Sequence, residues 1–411
     1  MDFSLSETQT EIAGLARKIL VERDSAERQW ADLAAAGVLA AALPESLGGA
    51  GLGFLEQCSV LAEAGRAASP VPYLPSIVLG AGAIAAFGTP DQQRRWAAPA
   101  GEGSLLITAA LAEEDSDDPA SPSAVAERAG DGWRLSGVKT AVPAAREAEL
   151  VLVPATVTTD GRGTCAPYGE ISGMSGAPAP DIPEPLVLTF LVQPADRGVT
   201  VQPQELTGTG NEAGEADAGR LVLDGAVLDD SRVLGEPGAA GDVAGWLVAR
   251  YTVGLCATQA GVVARALELT AEYARSREQF GRPIGSFQAV AQRLADAYVD
   301  VEAVWLTMWQ AAWLLAAGRP ADPAVAAAVA TAKFWAADAG HRVAHTAVHV
   351  HGGMGIDTSY PVHRYFTAAK RAEFTLGGAT AQLHRLGDLI ATAEPGLGER
   401  SEQLRDPLEQ A

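Results

Sequence analysis

The sequence of 411 residues predicts an α+β protein built as a helical domain, a central antiparallel β-domain and a second helical domain. Both ends of the chain show apolar residues at helical spacing, whereas the middle is divided into short segments rich in β-branched residues. Gly, Pro and Asp bound those short segments. The predicted division is an N-terminal α-helical domain at 1–107, a β-domain at 108–235, a four-helix bundle at 236–393 and a flexible tail at 394–411.

The N-terminal domain is predicted from apolar residues at helical spacing between positions 12 and 20. A glycine-rich loop separates this segment from further helical segments at 55–65 and 76–87. Thr89 followed by Pro90 predicts a helix N-cap with proline in the first turn.

The β-domain is predicted from a change of pattern at Leu105, where short segments bounded by turn residues replace helical spacing. The predicted strands lie at 105–111, 133–138, 150–153, 186–192, 198–202 and 219–223. Residues 155–185 are rich in Pro, Gly, Ser and Thr, which predicts a long surface insertion between strands.

The second helical domain is predicted from Gly241 onwards, where helical spacing returns and continues almost to the end of the chain. The predicted helices lie at 242–275, 286–317, 323–350, 360–373 and 379–392. The residues after 393 are polar and charged, which predicts a frayed end.

Composition and charge exclude several kinds of partner. The formal net charge of −21 opposes binding to a nucleic acid, and any phosphate-bearing ligand must meet a local cluster of positive groups. No apolar run reaches the ~20 residues of a membrane-spanning helix, and the first residues lack the pattern of a secretion signal. Cys58, Cys165 and Cys256 are too far apart for a zinc site or a disulfide framework. We therefore expect a cytoplasmic protein that binds neither nucleic acid, membrane nor metal.

Residues 273–288, the Arg277 segment, read YARSREQFGRPIGSFQ and resemble the R-x-x-F-G motif of the acyl-CoA dehydrogenase family. A guanidinium suits bidentate phosphate binding, and an aromatic ring offers apolar surface to an adenosine. The resemblance implies FAD contacts from Arg277, Gln279, Phe280 and Gln288. Without the family, the same residues would indicate a helix–turn–helix with an exposed basic rim.

Residues 347–361, the Gly352 segment, resemble the family's A-V-Q-x-x-G-G-x-G sequence, which closes a helix and enters a tight turn. Glycine lets the backbone approach a diphosphate closely, so the resemblance implies FAD contacts from His349, Gly352 and Gly353. A helix C-cap alone would explain the glycines equally well. In the family, this segment and the Arg277 segment reach across a dimer interface to the FAD of the neighbouring subunit. His349 replaces the usual Gln, and its spacing from His351 does not suit a metal site.

Further landmarks extend the resemblance over nearly all of residues 1–392; they lie at 1–9, 30–53, 87–94 and 132–139. The chain is thus identified as a member of the acyl-CoA dehydrogenase family, whose fold has helical, β and helical domains. The resemblance implies FAD-dependent α,β-desaturation of an acyl-CoA thioester, with an electron-transfer flavoprotein as a further partner. It also implies FAD contacts from Thr380 and Gln382.

The sequence departs from the family at the catalytic base. In the family a carboxylate takes the α-proton while the flavin N5 accepts a hydride from the β-carbon. Gly378 stands at or near the usual Glu position, and no Asp or Glu occurs from 374 to 387. Some members carry the base on the helix before the Arg277 segment, where this chain has Tyr251 and no Asp or Glu from 243 to 267. A tyrosine, with a reference pKa near ~10, is a poor base, so no catalytic residue is assigned.

The segments that contact the flavin in the family also differ. Residues 140–143 replace the W-I-T/S sequence that packs against and hydrogen-bonds the isoalloxazine, and Pro143 lacks even a backbone N–H. Residues 111–119 replace the T-E-P-x-x-G-S-D stretch with an acidic cluster, which we interpret as a solvated loop rather than a metal site. The cluster consists of Glu113, Glu114, Asp115, Asp117 and Asp118.

Three interpretations follow. The absent base favours a non-catalytic chain of a heteromeric, α2β2-like enzyme, as in actinobacterial sterol side-chain degradation, which lends its Arg277 and Gly352 segments to a paralogous chain. The second interpretation is a self-sufficient homomeric dehydrogenase with a relocated base, for which Glu373 is the candidate. The third is a relative with other chemistry, such as a flavin-dependent monooxygenase that needs no α-proton base, or a purely structural chain.

Overall fold

The computed structural model describes residues 5–23, 25–114, 118–119, 121–158, 186–206, 218–235, 240–318 and 320–392. The predicted tail at 394–411 and most of the predicted insertion at 155–185 lie outside these residues. Along the described part of the chain, helices precede and follow a strand-forming region, in the order that the sequence predicts.

The N-terminal helices begin at residues whose side chains cap them. The Ser6 hydroxyl accepts from the Gln9 N–H at 3.1 Å, and the Gln9 side chain accepts from the Ser6 N–H at 2.8 Å. Thr89 and Gln92 form the same reciprocal pair, which confirms the predicted N-cap. The helices are α1 (Glu7–Glu22), α2 (Ala26–Ala35), α3 (Phe54–Ala67), α4 (Gly82–Phe87), α5 (Pro90–Gln92) and α6 (Ala98–Gly101).

One predicted helix has an unexpected form. The segment predicted as a helix at 76–87 is a π-helix over Tyr73–Ala81 that continues into α4. Pro75 lies in its first turn, where a backbone N–H has no partner within the helix, so the proline is tolerated there. A second π-helical stretch covers Gln93–Ala97, and a 3₁₀ turn covers Glu45–Leu47.

The central region is one eight-stranded sheet in the spatial order β6-β7-β3-β2-β4-β5-β8, with β1 pairing on β4. Its strands are β1 (Ile107–Ala109), β2 (Val125–Ala129), β3 (Gly132–Pro143), β4 (Leu150–Thr158), β5 (Val187–Val192), β6 (Val199–Gln204), β7 (Ala218–Asp229) and β8 (Val233–Leu234). The sequence predicted an antiparallel sheet, and most pairs are antiparallel. However, β4 runs parallel to β1 and to β2, so the sheet is mixed. This arises because the chain leaves the β2–β3 hairpin and crosses to the far side of β2 before forming β4.

The second helical region contains the five helices that the sequence predicts, each within three residues of its predicted ends. They are α7 (Ala240–Ser276), α8 (Gln288–Ala317), α9 (Pro323–His351), α10 (Val362–Phe374) and α11 (Ala379–Thr392). Buried residues from Ile12 to Leu376 form one hydrophobic cluster that joins both helical regions, and a second cluster around Trp133 and Phe190 lies within the sheet region.

A close helix crossing fixes α7 against α3. A Cβ on Gly65 would lie 2.0 Å from the Thr258 carbonyl oxygen, and a Cβ on Gly261 would lie 1.9 Å from the Ala62 carbonyl oxygen. Only glycine fits at either position, so the two backbones touch directly. This contact sets the direction in which α7 carries the chain toward the Arg277 segment.

Helix α7 is long and apolar enough to cross a membrane by length and composition. In the protein, 72% of its most apolar window is buried against other elements, as expected for a core helix.

Candidate functional site

The Arg277 segment forms a short hairpin between α7 and α8. Strand β9 (Glu278–Gln279) pairs antiparallel with strand β10 (Arg282–Pro283). The two turn residues, Phe280 and Gly281, have φ of +54° and +79°, the left-handed pair that a tight two-residue hairpin requires. The chain therefore reverses sharply between two long helices and presents the turn to solvent.

The tip of this hairpin carries an exposed aromatic ring. The Phe280 side chain is 94% exposed, and its ring meets Phe287 edge-on with centroids 6.2 Å apart. The Arg282 guanidinium lies over the Phe287 ring at 4.2 Å. The ring therefore offers apolar surface that a ligand or partner could cover.

The backbone of Arg277 is fixed while its side chain faces solvent. Its N–H donates to the Tyr273 carbonyl and its carbonyl accepts from the Ile284 N–H, both at 2.8 Å. Among the described residues, the neighbouring salt bridges involve other cations, such as Arg265, and none involves the Arg277 guanidinium. Gln288, the first residue of α8, follows the hairpin and is also exposed. A positioned, exposed guanidinium can bind a phosphate bidentately.

The Gly352 segment includes the last turn of α9 and the turn that follows it. Gly352 has φ of +59° and starts a 3₁₀ turn over Gly352–Ile356. His349, Gly352 and Gly353 are exposed, and a Cβ on either glycine would meet nothing within 4 Å. The turn therefore leaves its backbone uncovered within this chain.

The structure brings the Arg277 and Gly352 segments to the same end of the helical bundle. The rings of Tyr273, near the end of α7, and His351, at the end of α9, stack with centroids 4.4 Å apart. Seven of the nine predicted FAD contacts therefore belong to segments joined at this end.

The two remaining predicted contacts lie elsewhere. Thr380 and Gln382 are at the start of α11, beside the part of α9 that carries Lys333. Lys333 lies 18 residues before His351, and at 1.5 Å per residue this is about 27 Å along α9. Within one chain, these two residues cannot share a diphosphate with Gly352. Thr380 is exposed, whereas Gln382 is only 1% exposed and its amide donates to the Leu376 carbonyl at 3.0 Å.

The loop that carries the base in the family follows α10 here and contains Gly378. Lys333 bonds the residues before this loop, and Gln382 bonds the carbonyls of Leu376 and Gly377 within it. Leu376 and Gly377 have φ of +59° and +88°, and Gly378 follows them. The fully buried Lys333 ammonium donates to the carbonyls of Ala372 and Glu373 at 2.9 and 3.0 Å, at the end of α10. Burial lowers the pKa of Lys333 to about 8. The loop is thus ordered but offers no carboxylate of its own.

Glu373, the relocated base considered from the sequence, is engaged in ion pairs. Its carboxylate lies 2.6 Å from the Lys370 Nζ and 3.2 Å from the His341 Nδ1. Tyr251, at the other family position for the base, is buried within α7. The Glu373 carboxylate is already paired, and Tyr251 has no carboxylate. The described residues therefore do not supply the expected base at these positions.

The predicted acidic loop at 111–119 is partly a buried site, which corrects the solvated interpretation for Glu113. The Glu113 carboxylate lies 2.6 Å from the Lys139 Nζ, and both side chains are almost wholly buried. It also accepts from the N–H and the hydroxyl of Ser123, both at 2.5 Å. Burial acts to raise the pKa of Glu113, but the Lys139 charge and these hydrogen bonds outweigh it and hold the pKa below its usual range.

The other acidic residues of the loop differ from Glu113. Glu114 is exposed and pairs with Arg220 at 3.2 Å, and Asp118 is also exposed. Asp115 and Asp117 lie outside the described residues. No group of three potential metal ligands occurs in the described ranges of the chain.

The segment that contacts the flavin in the family is bonded here to the chain's own β6. Ala141 has φ of +51° and lies at an irregularity in the β3–β7 register. Its N–H donates to the Gln204 side-chain oxygen at 2.7 Å, and the Gln204 amide donates to the Thr140 hydroxyl at 2.9 Å. The Pro143 carbonyl accepts from Thr108 at 2.6 Å. These polar groups are therefore already paired within the chain.

Sequence reasoning missed Gln204 and Lys333. Nothing in the local sequence around Gln204 points to Ala141, because the pair joins strands 63 positions apart. Lys333 lies in an alanine-rich helix. Its small apolar neighbours are the sequence signal that could have indicated a buried cation.

Comparison with known proteins agrees with this architecture. Residues 6–104 match the family description "Acyl-CoA dehydrogenase, N-terminal domain", and residues 242–389 match "Acyl-CoA dehydrogenase, C-terminal domain". The chain is similar to the acyl-CoA dehydrogenase FadE27 of Mycobacterium tuberculosis, with 45% identity over 95% of this chain and 99% of the relative.

Two solved structures are similar along nearly the whole chain. One belongs to the ChsE4-ChsE5 complex from Mycobacterium tuberculosis, with a TM-score of 0.82, 43% identity and coverage of 96% of this chain and 100% of that chain. The other is a variant of the Tcur3481-Tcur3483 steroid ACAD, with a TM-score of 0.79, 38% identity and coverage of 94% and 99%. Together with the two matching domains, these similarities establish that the chain belongs to the acyl-CoA dehydrogenase family of FAD-dependent oxidoreductases that act on acyl-CoA.

Proposed function

We propose that this chain is the non-catalytic subunit of a heteromeric acyl-CoA dehydrogenase. It would lend its Arg277 and Gly352 segments to FAD held largely by a paralogous chain that supplies the base. The observation that carries the proposal is the contrast between two places in the fold. Both base positions, Gly378 and Tyr251, lack a carboxylate. The two segments that reach a neighbour's FAD in the family, in contrast, keep Arg277, Phe280 and the Gly352–Gly353 pair, and all four residues are exposed.

The chemistry explains why the missing base matters. The proton next to a thioester is weakly acidic, and general base catalysis contributes about 10²–10⁴-fold to such a step. Glu373, the acidic residue nearest to Gly378 in the sequence, is already paired with Lys370 and His341. This pairing disfavours the homomeric alternative, and no feature of the described residues favours a monooxygenase.

The residues at the exposed end of the bundle suit FAD. Arg277 offers an exposed guanidinium for a diphosphate, Phe280 an exposed ring for an adenosine, and the Gly352 turn an uncovered backbone. When bound, FAD would accept the hydride that leaves the β-carbon of the acyl group. The chain's own β-domain suits flavin poorly, since the polar atoms of Thr140 and Ala141 are paired with Gln204.

The similar structures support a partner and a substrate class. Both are named as two-component assemblies, and one is named as a steroid ACAD. We infer a paralogous acyl-CoA dehydrogenase chain as the partner and a bulky acyl-CoA, such as one with a steroid side chain, as the substrate. An electron-transfer flavoprotein would take the electrons, and the enzyme would act in the cytoplasm.

The test is to express the chain alone and together with a paralogue that retains the loop Glu, and to measure FAD per chain and assembly mass. The proposal expects FAD to be retained only in the mixed complex, at about one FAD per pair of chains. An isolated chain that retains one FAD per copy as a homo-oligomer would contradict it.

A further inference from the structure

Three aromatic rings from separate parts of the chain meet where the two exposed segments leave their helices. Besides the Tyr273–His351 stack, the Tyr360 ring lies 5.3 Å from His351 and 6.4 Å from Tyr273. The stacked pair is nearly parallel, at 25° between the ring planes. We call these residues the aromatic cluster. It joins the end of α7, the end of α9 and the chain just before α10.

His351 is the central member and its ring orientation is fixed. The residue is 3% exposed, and its Nδ1 lies 2.8 Å from the Ala347 carbonyl. Because a carbonyl only accepts, Nδ1 carries the proton and Nε2 is left as an acceptor. Nε2 is buried and has no hydrogen-bond partner among the described residues. The ring is therefore held in one orientation by the Nδ1 bond and by its stack on Tyr273.

The cluster joins residues of both segments and lies next to Arg277 and Gly352, which are predicted to contact FAD. Arg277 is four residues after Tyr273, and its N–H donates to the Tyr273 carbonyl. Gly352 directly follows His351 and begins the turn with a left-handed φ. Any shift between the two rings would therefore change the distance between the Arg277 guanidinium and the Gly352 backbone.

We propose that Tyr273 and His351 are positioning residues, which hold the Arg277 and Gly352 segments in register so that both can contact one FAD diphosphate. Neither ring needs to touch the cofactor. This inference rests on the proposed function, because it concerns the FAD contacts that the chain lends to its partner. It predicts that the two segments bind FAD as one unit rather than independently.

A double-mutant cycle on the co-expressed complex tests the coupling. FAD affinity is measured by titrating the flavin-depleted complex of the wild type, His351→Ala, Arg277→Ala and the double variant. We expect His351→Ala to weaken FAD binding about tenfold, and the double variant to lose clearly less than the product of the two single losses. Losses that multiply would overturn the inference, since independent sites behave in that way.

Conservative variants separate stacking from other roles of the histidine. His351→Phe keeps the ring and should retain FAD affinity within about threefold, and Tyr273→Phe should do the same. Tyr273→Leu removes the stack and should match His351→Ala. If His351→Ala fails to fold, the Tyr273 pair carries the test. An equal loss in His351→Phe and His351→Ala would contradict positioning by the stacked ring.

Two controls distinguish the possible failures. His345→Ala alters another histidine of α9, whose ring packs against His341 and Phe366 and lies outside the cluster. It should leave FAD affinity unchanged, and a tenfold loss there would count against the cluster. If Arg277→Ala also leaves FAD affinity unchanged, the proposed function itself fails. If Arg277→Ala weakens FAD binding and His351→Ala does not, only the positioning role fails.

Discussion

Replacing Arg277 by alanine should weaken FAD binding by the complex without weakening the fold of the chain. The side chain is exposed and has no salt bridge within the described part of the chain, so the free energy of unfolding should change by less than about 0.5 kcal/mol. A charge-assisted hydrogen bond from a guanidinium to a phosphate contributes about 1.5–3 kcal/mol. At about 1.4 kcal/mol per factor of ten, FAD affinity should fall roughly 10- to 150-fold.

The assay is a flavin titration of the co-expressed complex, with thermal unfolding of the same samples as a check on the fold. Arg275 provides a matched control, because it is exposed in the last turn of α7, two residues before Arg277, and carries the same charge. Arg275→Ala should leave the affinity within about threefold, since a long-range charge effect is screened by salt. Arg277→Lys keeps the charge but not the bidentate geometry and should fall between wild type and alanine.

The reasoning would be refuted by an Arg277→Ala complex that binds FAD as tightly as the wild type. It would also be refuted by equal losses in Arg277→Ala and Arg275→Ala, because the effect would then be one of net charge. Either result would show that the segment resembles the family motif but does not bind FAD through the Arg277 guanidinium.

Three further predictions concern the interior of the chain. The pKa of Lys333 is about 8 in the folded protein against 10.5 ordinarily, so the unfolded chain binds this proton more tightly. Between pH 8 and 10.5 the free energy of unfolding in urea should therefore rise by up to about 3 kcal/mol relative to Lys333→Met. Parallel pH profiles of the two proteins would disprove this. Glu113→Gln leaves the buried Lys139 ammonium without its anion and should lower the free energy of unfolding by about 3–5 kcal/mol. Adding Lys139→Met should recover most of this loss. A single variant as stable as the wild type would show that the pair does not stabilise the fold. Gly378→Glu places a Cβ 3.7 Å from the nearest atom, the Glu373 carbonyl oxygen, so the chain should fold with a stability within about 1 kcal/mol of the wild type. The variant alone should still not desaturate an acyl-CoA, because the strand that contacts the flavin in the family is altered in this chain. Activity in that variant would contradict the account.

The helices could be predicted from the sequence because their information is local. Capping residues and apolar spacing lie within a few positions of each other, as at Thr89 and along α8. The Arg277 and Gly352 segments were also identified locally, and the structure places both on the surface at one end of the bundle. Whether they contact FAD stays a prediction.

The remaining features depend on contacts between distant residues. Strand β2 carries two charges in five residues and was not predicted, and its position decides which strands of the sheet run parallel. Glu113 looked solvated because its neighbours in sequence are acidic, but its actual neighbour is Lys139, 26 positions away. The pairing of Gln204 with Ala141 likewise follows only from the folded sheet.

The central claim is that this chain carries no base for the α-proton and depends on another chain for it. The most direct measurement is the rate at which the purified chain, alone and with FAD added in excess, desaturates an acyl-CoA that the co-expressed complex accepts. The account predicts a rate at least about a hundredfold below that of the complex, the lower end of what general base catalysis contributes. A rate per chain equal to that of the complex would contradict it.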